Sequence, residues 1–425
     1  MGTTDHLGKP AVHQRRVDRH ALDGGMTMDG PRRQETGDRR KPERPGFASP
    51  CVTIQGRGGE QMPRDDRTSR YSRREVMQLL GGAAALGAVA ACGGADQPPA
   101  PLAAQPTAPP VATLAGLPSD AIIRTVLGDI TPDAITGVTL FHEHLSIRLS
   151  ADRPSATDDV DTVIREIRTA AAEGVGCIVD GGHPDMGRDL DAIRRVATET
   201  DVHVVAAGGY YMQRFYPPEI ATTSEDQIAE DLAAEAARDQ LGAFGEIGQN
   251  SNAAEMTAAE LKVFRAVGKA HLSTGLPIFT HNAYGTGEHV RPDAGLTQLD
   301  VLESVGVSPD HIVIGHACCL DDPSASILIR IAERGAFVGF DRVTGGRVDD
   351  PQKVATIMAF LEAGHADRLL ISSDFTGRRS EARPGYGNSI TVFAPLLRDA
   401  GVDESVLQAV QRDNPRRFLA FVPSV

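Results

Sequence analysis

The sequence has no tryptophan, and aromatic residues make up only 4% of its 425 positions, so alanine, valine, isoleucine and leucine must fill the core. It lacks a surplus of positive charge. The formal net charge is −14, which argues against a nucleic-acid partner. It lacks a long apolar run: the stretch from about Leu79 to Ala91 falls short of the roughly 20 residues that a membrane-spanning helix needs. No Gly-rich phosphate fingerprint follows the first strand-like segment, which weakens the case for a doubly wound sheet. What is present is a globular balance, 41% apolar and 24% charged, long enough for one large domain or two to three ordinary ones.

The charge is unevenly placed. Residues 1–92 hold 16 Lys and Arg against 11 Asp and Glu, net +5, so the remainder carries −19. A basic leader on an acidic body points to targeting. Residues 1–61 are polar and Arg-rich without hydrophobic periodicity, which predicts disorder, and translation from Met62 would omit them. From there, residues 62–92 read as an export signal: Arg73 and Arg74 precede a short Gly/Ala-rich apolar stretch, and the SRR pair resembles a twin-arginine signal. The stretch ends VAAC, similar to a bacterial lipobox, so Cys92 is the expected lipid anchor; the alternatives are a plain cleaved signal or a core helix of a folded domain. The Pro-rich segment 93–118 is then a tether, and the folded body runs from 119 to 425. The expected location is the outer side of the cytoplasmic membrane or the periplasm.

The body has a rhythm. Short apolar runs, GVTLFHEH, GCIVDGG, HVVAAGGYY, GAFGEIG, LPIFTHN, HIVIGHA, AFVGFDR and RLLISSD, alternate with helical patterns such as 158–173, 189–199 and 224–239. Eight strand–helix units over about 300 residues predict a closed (β/α)8 TIM barrel, an α/β fold with a parallel sheet.

Position carries the functional signal. His142 and His144, then Glu246, His281, His316 and Asp374, stand at the C-terminal tips of five apolar strands. A barrel of this kind places its active site on that face. Residues i and i+2 share a strand face, so His142 and His144 can both point into the mouth while Glu143 points away, toward a structural hydrogen bond. His, Asp and Glu are the ligands that zinc and its neighbours prefer. Two divalent ions would need a bridging carboxylate, and Glu246 is the candidate. His183, after the second strand, is expected to line the pocket.

Taken together, TLFHEHL, MGRD (186–189), GEIG, IFTHN, IVIGHA, FVGFDR, LLISSDF and DNPRRFL (413–419) resemble the phosphotriesterase family of the amidohydrolase superfamily, over about residues 120–425. The resemblance implies a binuclear metal-dependent hydrolase, with zinc first among candidates that include manganese, cobalt and iron. His142, His144 and Asp374 would hold the more buried ion, His281 and His316 the more exposed one, and Glu246 would bridge them. A water between two cations ionises near neutral pH and becomes the nucleophile, with Asp374 taking or relaying its proton. Tyr210 and Arg342 match positions of the lactonase-type members, which favours a lactone or carboxyl ester. The alternatives are an organophosphate triester substrate and a catalytically weak, surface-anchored binding protein. A homodimer is a further expectation from the family.

One departure stands out. Where the family carries an acidic cluster after the sixth-strand histidine, this chain reads HACCLDD. The relay acid falls at Cys319, and a thiol does not replace a carboxylate at the same pKa; Asp321 is the acid that remains. Cys318 and Cys319 are open to three readings: a vicinal disulfide, a thiolate touching the exposed metal, or buried free thiols. Cys177 reads as core, and Cys51 lies ahead of the expected mature chain.

Overall fold

Each apolar run of the body becomes a buried strand, and each helical pattern becomes a helix packed on its outer side. A computed structural model describes residues 116–249, 255–282, 284 and 291–423. The leader, the signal and all of the linker except residues 116–118 lie outside the described residues, which together belong to one compact unit of the chain. Among the described residues no helix is long and apolar enough to cross a membrane.

The barrel strands are β3 (Val138–Glu143), β4 (Val175–Asp180), β5 (His203–Gly208), β6 (Ala243–Gly248), β7 (Ile278–His281), β8 (Ile312–Ile314), β9 (Phe337–Phe340) and β10 (Leu369–Ile371). They pair in chain order, all parallel. The two edge strands meet through backbone bonds, Asp374 N–H to the His142 carbonyl (3.1 Å) and His144 N–H to the Phe375 carbonyl (3.0 Å). This is the (β/α)8 barrel that the rhythm predicts.

The helices fall close to their expected spans: α1 (Val160–Ala172), α2 (Leu190–Glu199) and α3 (Glu225–Asp239). Their starts are set locally. Asp159, Asp189 and Ser224 each accept backbone N–H groups of the first turn, which satisfies donors the helix leaves unpaired. Thr257 and Glu260 form a reciprocal capping box at the helix Ala258–Thr274.

Side-chain alternation divides the core into two layers. Phe141, Val179, Val205, Phe279, Val313 and Leu370 pack together inside the barrel, while Leu140, Ile178, Val204, Phe244, Ile278 and Ile371 pack against the helices. Below the barrel, an unforeseen hairpin, β1 (Ile123–Thr125) and β2 (Gly128–Ile130), precedes the first barrel strand. Ile122 and Phe421 bond reciprocally through their backbones and tie the two ends of the body together.

Candidate metal centre

Strict alternation along β3 would turn Glu143 inward, because Phe141 is interior. A register shift between Leu140 and Glu143 reverses this, so that His142 and His144 face the barrel axis. Gly181, at the tip of β4, makes room for both. A Cβ there would stand 3.2 Å from His142 Cδ2 and 3.4 Å from His144 Cε1, tighter than ordinary contact. Glu143, fully buried, turns sideways into the β3–β10 seam. Its Oε1 accepts from Ser372 Oγ (2.7 Å) and Ser373 N–H (2.8 Å), and its Oε2 accepts from Phe375 N–H (2.7 Å). Burial raises its carboxyl to about 7, against the pull of those three donors.

The structure brings all six expected side chains together: His142, His144, Glu246, His281 and His316 are buried, and Asp374 joins them from a partly exposed position at the rim. Glu246 is its centre, with its two oxygens directed at different partners. Oε2 lies 3.5 Å from His142 Nε2 and 3.6 Å from His144 Nε2, and the latter is 3.2 Å from Asp374 Oδ1. Oε1 lies 2.6 Å from His281 Nδ1 and 3.0 Å from His316 Nε2, and these two nitrogens are 2.8 Å apart. Ligand atoms sharing a tetrahedral ion at about 2.0–2.2 Å sit roughly 3.3–3.6 Å from one another. The first set already has that spacing; the second is contracted by hydrogen bonds that an ion would replace. His142 Nε2 is buried with no hydrogen-bond partner, an atom that a cation would satisfy. The donor set and its geometry fit divalent metal ions.

Asp341, at the tip of β9, was not among the expected site residues, yet it organises the cluster. Its Oδ2 is 2.8 Å from His142 Nδ1 and its Oδ1 is 2.9 Å from His316 Nδ1, and it also accepts the His316 backbone N–H. One carboxylate thus holds the outer edges of two imidazoles and leaves both Nε2 atoms facing Glu246. It carries the same sequence signal as the others, an acid ending an apolar strand, and stands next to the expected Arg342. Gly315 lets Asp341 approach, since a Cβ there would stand 2.9 Å from Asp341 Oδ2 and 2.0 Å from the Thr280 carbonyl.

Electrostatics follow from this packing. Burial favours neutral imidazoles, but Glu246 and Asp341 outweigh it and raise His142 to about 10. Asp374 and Glu246 likewise overcome burial and raise His144 to about 9. Burial would raise Glu246, but the facing histidines hold it well below the usual carboxylate range. His281 is lowered, by burial first and by the neighbouring His316. His316 (φ 52°) and Asp374 (φ 45°) adopt the left-handed backbone region, strain of the kind that concentrates at functional sites.

The substrate-side expectations fare unequally. Arg342 reaches the site, its Nε 3.8 Å from Asp374 Oδ2. Tyr210 does not approach the cluster; its ring packs on Tyr216 at 6.0 Å. The next residue does. Tyr211 is buried, its ring lies edge-on to His281 at 5.0 Å, and its hydroxyl is 3.5 Å from His281 Nδ1. Gly209 (φ 131°) ends the regular strand just before the two tyrosines, so the residue that meets the cluster is the second of the pair. His183 is buried beside Asp185, 3.4 Å away. Cys318 and Cys319 are buried free thiols with Sγ atoms 3.6 Å apart, so the structure does not carry the vicinal disulfide. Asp321 is turned to Gln352 rather than to the cluster.

The phosphotriesterase family profile matches residues 121–419, the whole barrel. The chain belongs to the phosphotriesterase family. The phosphotriesterase homology protein of Escherichia coli (strain K12) is 32% identical over 296 residues, 67% of this chain and 98% of that one. The aryldialkylphosphatase of Saccharolobus solfataricus is 29% identical over 307 residues, 67% of this chain and 95% of that one. The crystal structure of the Escherichia coli protein, complexed with phosphate in its active site, superposes with a TM-score of 0.62 at 30% identity, covering 67% of this chain and 99% of that chain. As a phosphotriesterase-family hydrolase, the protein carries His, Glu and Asp side chains positioned for metal binding.

Proposed function

We propose that the protein is a binuclear metal-dependent hydrolase of lactones or other carboxyl esters. The observation that carries this reading is the split of Glu246, one oxygen toward His142 and His144 and the other toward His281 and His316. In this reading His142, His144, Glu246 and Asp374 hold one ion and His281, His316 and Glu246 hold the other, with zinc the first candidate. Two such ions supply Lewis acidity at the substrate oxygen and ionise a water near neutral pH. The protein's own groups do the rest. Asp374 accepts the proton at its carboxylate, and the guanidinium of Arg342 beside it holds that carboxylate in place. The Tyr211 hydroxyl, next to His281, faces the substrate and takes the role expected of Tyr210. Buried walls from Ile147, Met186 and Met212 exclude water around it.

Metal analysis coupled to kinetics on lactones, aryl esters and an aryl dialkyl phosphate tests the proposal, with His281→Ala as control. Ester or lactone turnover that rises with metal loading supports it. Faster turnover of the phosphate triester would make the protein an organophosphate triesterase. No turnover by metal-replete protein, with a ligand still raising the melting temperature, would make it a binding protein. We also propose export by the twin-arginine segment and lipid anchoring at Cys92, on the sequence of residues 70–92. Cys92→Ser should release the protein from membranes. A homodimer is proposed on family resemblance alone, and light scattering measures it.

A further inference from the structure

The pair of thiols that replaces the family's acidic cluster is connected to the metal centre by contacts that no expected role uses. Cys318 Sγ accepts the Arg342 backbone N–H at 3.3 Å and lies 3.8 Å from Asp341 Oδ1, the oxygen that holds His316 Nδ1. Cys319 Sγ is 3.6 Å from Cys318 Sγ. Cys318 is 1% exposed and Cys319 6%, so only a very small oxidant can reach the pair. The third described thiol, Cys177, sits in β4 within the barrel interior and is in contact with neither.

We propose that Cys318 and Cys319 form a peroxide-sensitive thiol switch that sets the geometry of the metal centre. Cys319, the more exposed, loses its proton and attacks one oxygen of hydrogen peroxide. The O–O bond breaks, water leaves, and a sulfenic acid forms. Cys318 Sγ then attacks the Cys319 sulfur, the S–O bond breaks, and a second water departs. Two thiols and one peroxide give one disulfide and two waters. The sulfurs must close from 3.6 Å to about 2.05 Å. That movement draws Cys318 away from the Arg342 N–H and from Asp341. Both neighbours matter to the site: Arg342 faces Asp374, and Asp341 orients His142 and His316.

The switch is reversible by construction. Adjacent Cα atoms are about 3.8 Å apart, below the roughly 4.4–6.8 Å that ordinary disulfides span. The ring is therefore strained, and strained disulfides are the readily reduced ones. The effect on turnover rests on the hydrolase reading above; formation of the bond and its effect on metal retention do not.

The test uses the full chain, metal-loaded. After treatment with hydrogen peroxide, remaining thiols are alkylated under unfolding conditions and the protein is digested. The peptide containing both cysteines should resist alkylation and weigh two hydrogens less than its reduced form, while Cys177 alkylates fully. Oxidised protein should surrender metal to a chelator about tenfold faster, and ester turnover should fall about tenfold, as expected for small displacements at a reaction centre. Dithiothreitol should restore both. The Cys318→Ser and Cys319→Ser variants, each compared with its own untreated sample, should show no peroxide effect on metal release. Full alkylation of both cysteines after peroxide, a disulfide that leaves metal release unchanged, or equal peroxide sensitivity in the serine variants would each overturn the proposal.

Discussion

Asp341 shows how a single residue can govern a site it does not enter. Its carboxylate accepts from the Nδ1–H of two imidazoles at 2.8 and 2.9 Å. Asparagine keeps the size but offers one oxygen, and its amide N–H meets an imidazole N–H. Asp341→Asn should therefore weaken metal binding by about 10–100-fold while the barrel stays folded. Competition with a chromophoric chelator measures it. The same neighbourhood sets a pH dependence. His142 and His144 are raised to about 10 and about 9 in the metal-free protein. Their stabilisation of the metal-free fold is complete below the ordinary histidine pKa and is lost as pH rises through 9 and 10. Metal has the opposite trend, because it competes with those protons. Metal affinity should rise with pH up to about 9–10 while the melting temperature of the chelated protein falls over the upper part of that range; titration calorimetry and thermal melts at stepped pH check both directions.

At the scale of elements, the question is what closes the barrel. Glu143 accepts three hydrogen bonds from the residues just after β10, and Tyr386 adds a bond from its hydroxyl to the His144 carbonyl at 2.8 Å. Glu143→Gln would turn an amide N–H toward one of those donors. It should destabilise the fold by about 1–3 kcal/mol, the cost of a buried unsatisfied group, and leave the metal content unchanged. A loss of metal as complete as in His144→Ala would show that Glu143 belongs to the metal centre. The strand tips were readable in the sequence because a polar residue ending a buried run has few structural uses. The β3 register shift was not, since nothing in VTLFHE marks which side the irregularity favours. The choice between Tyr210 and Tyr211 was not readable either, since the resemblance marks a Tyr after the third strand and two adjacent tyrosines follow Gly209. The hairpin β1–β2 has strands of three residues each, too short to show any period.

For the molecule as a whole, the barrel was readable because eight strand–helix units repeat at regular intervals, and repetition survives errors at any one boundary. The fold in turn makes the site readable, since it gathers residues more than 200 positions apart onto one rim. The role of Asp341 was not legible in the sequence, because it exists only once His142 and His316 stand on either side of it. A site of buried carboxylates and imidazoles links metal to stability. A ligand that binds only the folded chain stabilises it, by about 2.7 kcal/mol at a hundredfold excess over its dissociation constant. Chelation should lower the melting temperature, and one added divalent ion species should restore it.

In the proposed binuclear site, Glu246 divides the cluster into two metal positions. Counting metal by elemental analysis in the active protein and in Glu246→Ala tests it most directly. Two divalent ions per chain are expected in the active protein, with loss of both metal and ester turnover in the variant. A single ion per chain at full activity, or a Glu246→Ala protein that keeps two ions, would contradict it.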